Sequence, residues 1–367
     1  MNTQPLQPGV PLVLHVIPTT VARGAQREAR ALADQLDLPG VRNHRVMSLF
    51  ESPPEVEADF SLGLRTGEVA ASGFDVRAVL PIRRALDRLR PALVVAHGSD
   101  PLKYLVPAQA GRARSLAYYA IGTYAGNPAH TMQRLLWRFL MSRAEVVAAC
   151  GYEVQDECTT LFGVPPERVI MTPNGRDPDR FHPRTEDRVR PGLLVVFVGA
   201  LTEGKRPGRF IEVVAALRAK GYALRAHLIG DGPLRDSLVG VAADAQVEML
   251  GSRSDVDELL RSADVMVFPS LPAGEGLPGV LIEAGLSGVP VVCTDVPGVR
   301  TIVVDGETGL IVPEQDADAM ASAVARLLDD EALRRSLGGA ARRRCAEQFS
   351  IQTASRIWSG LIEPLLP

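Results

Sequence analysis

Short apolar runs alternate along the chain with longer segments whose apolar residues recur at helical spacing. The runs Leu12–Ile17, Arg45–Leu49, Leu93–Ala96, Ser115–Ile121, Val146–Ala149 and Val169–Met171 read as strands. A second series follows at Leu193–Val198, Leu224–Ile229, Val247–Leu250, Val265–Phe268, Val289–Cys293 and Leu310–Val312. Helical patterns lie between them, as in Gln26–Gln35, Pro81–Leu89, Pro207–Lys220 and Asp316–Leu328. Strands that are apolar throughout suit parallel sheets covered on both faces, and alternating β and α units predict a doubly wound α/β architecture. The polar stretch Arg184–Gly192 carries both charge signs and ends in Pro-Gly, so it reads as a linker. Each half restarts with a strong β-then-α unit. The pattern therefore predicts two Rossmann-like, doubly wound parallel-sheet domains, 1–186 and 187–348, facing across a cleft. Ligands belong beyond the carboxyl ends of such strands.

Composition narrows the function classes. Of 367 residues, 46% are apolar and 23% charged, enough apolar material for two cores. Aromatics make up 5%, which argues against a stacking platform for single-stranded nucleic acid. The net charge of −3 argues against general polyanion binding. Four cysteines lie far apart with no C-x-x-C, which excludes a disulfide framework or Cys-rich zinc site and fits a reducing cytoplasm. No N-terminal stretch has the build of a signal peptide, and no apolar run approaches the roughly 18–20 residues of a membrane span. The charge is uneven, however. Arg77–Arg143 holds eleven basic residues opposed only by Asp87 and Asp100, a candidate surface for anionic lipid or an acidic substrate. Within it, Met132–Arg143 has cationic and apolar residues at helical spacings. It suits either a helix lying on an anionic membrane or a core helix with solvated arginines.

Four stretches could carry chemistry. The strand Leu193–Val198 runs into Gly199 and then places Lys205 and Arg206 just before a helix opening near Pro207. Cations beside a helix N-terminus suit a phosphate, although a lone loop lysine is as readily a solvated charge. In Glu275–Val292, Gly279 opens a helix between two carboxylates, Glu275 in the loop and Glu283 a turn inside. Free N–H groups of Gly279 and Val280 favour phosphate oxygens and carboxylates favour sugar hydroxyls, so a nucleotide sugar fits; the plain alternative is a helix-start Glu and an exposed one. Ile229–Leu238 carries Gly230 and Gly232 like the start of a dinucleotide fingerprint, but Arg235 stands where the third glycine belongs. In the first βα turn, Gly24 would let a substrate approach the backbone, or simply make a turn. His97 ends an apolar strand and should face the cleft, against the commoner packing role of a lone histidine. The pairs Asp177/Asp179 and Asp255/Asp257 read as turn and helix-cap residues rather than metal ligands.

Taken in order, these stretches resemble the GT-B glycosyltransferases of family four, a retaining, metal-independent class. The elements that carry the resemblance are FVGALTEGK, GDGPLR, FPSLPAGEGLPGVLIEA and PNGRDPDRFHP (Pro173–Pro183). It covers nearly the whole chain and is strongest from Val195 to Phe349. The resemblance implies that Lys205 binds the donor diphosphate, Glu283 the ribose hydroxyls and Glu275 the transferred sugar. It implies phosphate contacts from Gly279 and Val280, within a loop that includes Gly276 and Leu277. It also implies a diphosphate approach at Gly24, a place for His97 near the reacting sugar, and a base contact at Arg253. A C-terminal segment, 349–367, would complete the first domain. The chain departs from the family pattern at Ala200, where Arg is frequent and Arg206 could restore the charge, at Arg23-Gly24 for Gly-Gly, at Cys150 for Ser, and at Pro278, which lacks an N–H.

The expected function is transfer of a sugar from a nucleoside-diphosphate sugar to a hydroxyl of a saccharide, lipid-linked or small-molecule acceptor, with no metal or other cofactor. The expected setting is cytoplasmic, with peripheral contact at an anionic membrane face as an option and no nucleic acid partner. The alternatives are a non-catalytic nucleotide-sugar-binding protein and, from the Rossmann-like pattern, an NAD-dependent oxidoreductase. The latter lacks a G-x-G-x-x-G after the first strand.

Overall fold

The computed structural model describes residues 9–21, 24–38, 40–65, 73–123, 131–184, 192–272 and 276–367. These residues form two compact α/β units. One gathers the chain up to Gly122, 131–175 and Ile351–Pro367; the other holds Arg176–Ser350. The chain therefore passes between units at Gly175–Arg176 and returns at Ser350–Ile351. The first passage lies ahead of the polar stretch Arg184–Gly192, at the turn-forming Pro-Asn-Gly. The two passages run side by side in the second unit: Arg176 N–H donates to Phe349 C=O at 2.9 Å, and Arg176 bridges Ser350 in parallel.

The first unit runs β1 (Leu12–Ile17), α1 (Gly24–Leu36), β2 (Asn43–Phe50), β3 (Phe60–Leu64), α2 (Val79–Leu89), β4 (Leu93–His97), α3 (Ser99–Ala108), β5 (Ser115–Ala120), α4 (Thr131–Ser142), β6 (Val146–Ala149), α5 (Tyr152–Asp156) and β7 (Val169–Met171). Its seven strands lie in the order β3-β2-β1-β4-β5-β6-β7, all parallel. The order reverses between β1 and β4. Strands β1, β4 and β6 are buried along their whole length, as their unbroken apolar sequences require. Edge strand β3 carried no such signal, because FSLGL is half exposed and holds a glycine.

The second unit runs β8 (Leu193–Val198), α6 (Pro207–Ala219), β9 (Leu224–Ile229), α7 (Arg235–Asp244), β10 (Glu248–Gly251), α8 (Val256–Ser262), β11 (Val265–Phe268), α9 (Gly279–Leu286), β12 (Val291–Thr294), α10 (Val299–Ile302), β13 (Gly309–Val312), α11 (Ala317–Asp329) and α12 (Glu331–Gln348). Its parallel strands lie in the order β10-β9-β8-β11-β12-β13, reversing between β8 and β11. Val195, Phe197, Leu228 and Val267 of the sheet pack with Phe210, Val214 and Leu217 of α6 and Val324 of α11. Each such side chain contributes about 1.5–3 kcal/mol on full burial. The Asp316 and Asp330 carboxylates accept from Ala319 and Leu333 N–H at 2.7 and 2.8 Å and cap α11 and α12, about 1 kcal/mol each.

The C-terminal helix α13 (Ile351–Ile362) belongs to the first unit. Its Trp358 is buried there, edge-on to Tyr119 with ring centroids 5.1 Å apart, and Arg42 pairs with Glu363 just beyond it at 3.3 Å.

Candidate functional site

In the second unit the strand order reverses between β8 and β11, which opens a crevice at their carboxyl ends. The turns that leave β8, β9 and β11 are bonded together. Gly199 N–H donates to Ile229 C=O, Leu201 N–H to Asp231 C=O, and Leu271 N–H to Gly204 C=O, at 3.0, 2.9 and 2.7 Å. A Cβ on Gly230, at φ +141°, would overlap the Gly199 carbonyl, and one on Gly232 would crowd Leu201. These glycines let two backbone turns touch. The dinucleotide-like spacing thus has a packing cause within the unit.

Lys205 ends the short turn Glu203–Lys205, half-buried, with its Nζ 5.3 Å from the centre of the Phe268 ring at the end of β11. Arg206 follows in the left-handed conformation at φ 50° and turns the chain into α6, where Pro207 fits the first helical position. Its guanidinium donates to the Glu314 backbone carbonyl and carboxylate at 3.1 and 3.2 Å. The structure therefore directs the Arg206 charge to Glu314, beyond β13.

Across the crevice, α9 opens at Gly279, with Pro278 before it in extended conformation and the Gly279 and Val280 backbone half-buried. Gly276 and Leu277 are buried just ahead. Glu283, one turn inside, accepts from Arg176 Nε at 2.8 Å, each side chain 19% exposed. The Arg176 guanidinium lies directly on Gly279, where a Cβ would collide with it. A guanidinium against the positive end of a helix is unfavourable unless anions share the space. Glu283 supplies one. Glu275 lies outside the described residues.

Arg253 is exposed on the loop after β10 and forms a two-pronged pair with Asp255 at 2.6 and 2.8 Å; that guanidinium holds the Asp255 carboxyl below its usual range. Asp255 thus sits at the N-cap position of α8 but gives its side chain to Arg253. Asp257 pairs with Arg180 at 3.1 Å, and Asp177 accepts from Asp179 N–H at 2.9 Å, a local turn.

In the first unit the order reverses between β1 and β4, and Gly24 and His97 stand at the ends of those connections. Gly24 opens α1, exposed, with nothing within 4 Å of where its Cβ would be. His97 departs from expectation. It ends β4 but is 1% exposed, stacked 6.3 Å from Trp358 and edge-on to Tyr119. Helix α13 covers it, and nothing local to VVAHGSD signals a cover supplied from the far end of the chain. His15 Nδ1 meets His97 Nε2 at 2.8 Å, and His15 Nε2 meets His44 Nδ1 at 2.9 Å. Burial drives the His97 imidazole down to about 3, so the ring is neutral at physiological pH. Each neutral ring has one N–H, so the row carries its protons in one direction or the other. Cys150 is fully buried, and desolvation pushes its thiol up.

Two contacts carry no sequence signal. Arg176 was legible only as part of a turn, and its bond to Glu283 spans 107 residues. Glu28 of α1 is buried and accepts from Gly175 N–H at 2.9 Å, fixing the Pro-Asn-Gly turn.

Comparison with known proteins identifies the family. Residues 22–180 match Glycosyltransferase Family 4, and residues 192–330 match Glycosyl transferases group 1. The alpha-D-kanosaminyltransferase of Streptomyces kanamyceticus is 28% identical, over 90% of this chain and 97% of that protein. The amylovoran biosynthesis glycosyltransferase AmsK of Erwinia amylovora is 30% identical over 56% of this chain; the match spans about half of that relative's length, 53%. Among solved structures, a glycosyltransferase from Rickettsia africae superposes with a TM-score of 0.81 at 15% identity, covering 97% of this chain and 99% of that one. Anabaena HepE, solved with UDP and glucose, gives 0.78 at 16%, covering 96% and 99%. Two parallel-sheet units of this kind define the GT-B fold. The chain belongs to the group 1 glycosyltransferases, with family 4 sequence in its N-terminal half.

Proposed function

We propose that this protein transfers a glycosyl group from a nucleoside-diphosphate sugar to a hydroxyl of a saccharide acceptor, with retention at the anomeric carbon. One observation carries the reading: Lys205, Arg176, Glu283 and the N-terminus of α9 all stand at the carboxyl-end crevice beside β8 and β11. A diphosphate placed there meets Lys205 and the Gly279 and Val280 N–H groups, and Glu283 receives the ribose hydroxyls. HepE, with UDP and with UDP-glucose bound, supports a donor of that class. The polysaccharide-biosynthesis relatives support a saccharide acceptor.

In this mechanism the acceptor oxygen forms its bond to the anomeric carbon on the face that the diphosphate leaves. The bond from that carbon to the phosphate oxygen breaks. The acceptor proton passes to the departing phosphate. Charge on the leaving group is met by Lys205 and the helix end, and such electrostatic stabilisation is the main catalytic contribution. No metal or cofactor is assigned, since this reading gives the metal's task to those groups. Glu275 and Gly24 are assigned to the transferred sugar and the diphosphate. Arg253 is assigned to the base, which requires it to leave Asp255. Peripheral contact with an anionic membrane belongs to the same reading, supported by α4, whose Met132, Leu135, Leu136 and Phe139 are exposed beside Arg134 and Arg138.

Thermal unfolding with UDP, GDP or ADP, each with and without EDTA, tests the donor site. One nucleotide should raise the melting temperature of the wild type and not of Glu283→Ala, with EDTA indifferent. At a hundredfold excess over Kd the stabilisation is about 2.7 kcal/mol. Equal stabilisation of the variant would overturn the role of Glu283, and a response to NAD alone would overturn the class of donor. Transfer of radiolabelled sugar to an acceptor then separates an enzyme from a binding protein.

A further inference from the structure

The first unit holds a second concave site that the transfer reaction does not use. A cavity of about 690 Å³ lies between α3, α4 and the start of β5. That volume is within the roughly 300–1,000 Å³ of small-molecule sites. Val106, Pro107, Leu116, Leu136, Phe139 and Leu140 give it an apolar wall. Its place in the fold sets it apart from the reaction. Arg112 and Arg114 precede β5 and Arg143 precedes β6, so it opens at the amino ends of the strands. Ligands of the fold's main crevice lie at the opposite, carboxyl ends.

Its polar groups have a definite sign. Lys103, Arg112, Arg114 and Arg143 line it. Asp87 pairs with both Arg112 and Arg114, at 3.0 and 3.3 Å, and Asp100 pairs with Lys103 at 2.7 Å. Among the described residues, four cations against two carboxylates leave an excess of positive charge. Arg143 lies 4.7 Å over the Phe139 ring, so one cation already sits on the apolar wall. Gln109 also lines the cavity, 8% exposed, and neither its amide nitrogen nor its oxygen has a partner among the described residues. Arg114, its side chain 10% exposed, leaves Nη1 without one. Buried polar groups of this kind are costly unless a ligand or water meets them. An apolar wall with a cationic rim fits a hydrocarbon chain ending in an anionic head.

We propose that this cavity binds the hydrocarbon chain of an anionic lipid, with the head-group phosphate held by Arg112, Arg114 and Arg143. The exposed face of α4, whose Leu136 and Phe139 also line the cavity, makes the surrounding contact with the bilayer. The proposal deepens the membrane reading above and does not depend on the donor site.

Titration calorimetry with dodecyl phosphate below its micelle concentration tests it, with dodecyl maltoside and inorganic phosphate as the other probes. Dodecyl phosphate should bind with one-to-one stoichiometry. Val106→Trp, which fills the cavity, and Arg143→Gln should each weaken it by about tenfold or more, a loss on the scale of one buried side chain or charge-assisted bond. Leu136→Gln, on an exposed helix face, provides a variant with little reason to misfold; it should weaken binding too, with an unchanged melting temperature. Inorganic phosphate that competes equally well, dodecyl maltoside that binds as tightly, or binding indifferent to all three substitutions would overturn the proposal. Vesicles of phosphatidylglycerol that bind the protein without any dodecyl phosphate binding would leave the membrane contact standing and overturn the cavity. UDP stabilisation should be the same in all three variants, so failure here is distinguishable from failure of the donor site.

Discussion

His15 lies between His97 and His44 in a row spanning three neighbouring strands, all three at most 1% exposed. The two outer nitrogens, His97 Nδ1 and His44 Nε2, have no partner among the described residues. Desolvation is the main reason these imidazoles resist protonation. Arg30 presses the same way on His15, and Arg42 and Arg45 on His44, while Asp37 opposes them at His44. Folded, His44 and His97 titrate at about 3; unfolded, they return to about 6.5. Between those values the unfolded chain binds more protons. This contribution to stability is therefore complete above about pH 6.5 and is lost as pH falls toward 3. Urea midpoints should drop from about pH 7 to pH 5, each histidine adding about 1.4 kcal/mol per pH unit within the window. His44→Gln should make the drop shallower than in the wild type. An unchanged slope would mean that the row does not control acid sensitivity.

At the scale of elements, strand-to-helix turns carry both the fold and the candidate chemistry. The turns after β8 and β9 bond to each other, and that is why Gly230 tolerates no side chain. Gly230→Ala should cost more than about 3 kcal/mol, because a strained φ adds to a backbone overlap. Gly24→Ala makes the contrast, since open space surrounds it. Denaturant unfolding should show little change for that variant, whereas nucleotide-sugar affinity should fall if a diphosphate approaches there. A large loss of stability in Gly24→Ala would assign that glycine to the fold instead. Strands β1, β6, β7, β8, β9 and β11 follow the boundaries read from their apolar runs. Most of their residues are buried, so the apolar signal is nearly continuous; β7, with Ile170 exposed, is the exception. β3 carries no such signal, because an edge strand of alternating burial with a glycine resembles a loop.

The whole molecule is two units threaded by a chain that leaves the first and returns to it. Helix α13 belongs to the first unit and seals Tyr119 and His97 with Trp358. Residues 1–175 alone should therefore lack a cooperative unfolding transition and gain one when a peptide of 351–367 is added. Residues 176–350 carry their own core and both sides of the candidate donor crevice. Expressed alone, that fragment should unfold cooperatively and retain nucleotide binding within about tenfold of the full chain, about 1.4 kcal/mol. Cooperative folding of 1–175 without the peptide would refute the role of α13.

By itself the sequence determined the alternation of strands and helices, the two sheets, and the ordered set of turns that holds Lys205, Gly279 and Glu283. Apolar periodicity and glycine position are local properties, so they survive without coordinates. Tertiary structure alone decided which partners those residues meet. It set Arg176 against Glu283 across 107 residues, sent Arg206 to Glu314, buried His97 beneath a helix from the chain's far end, and gathered scattered cations around an apolar cavity. Each of these depends on segments brought together only by folding, and burial and charge pairing are properties of that assembled neighbourhood rather than of any residue's place in the chain.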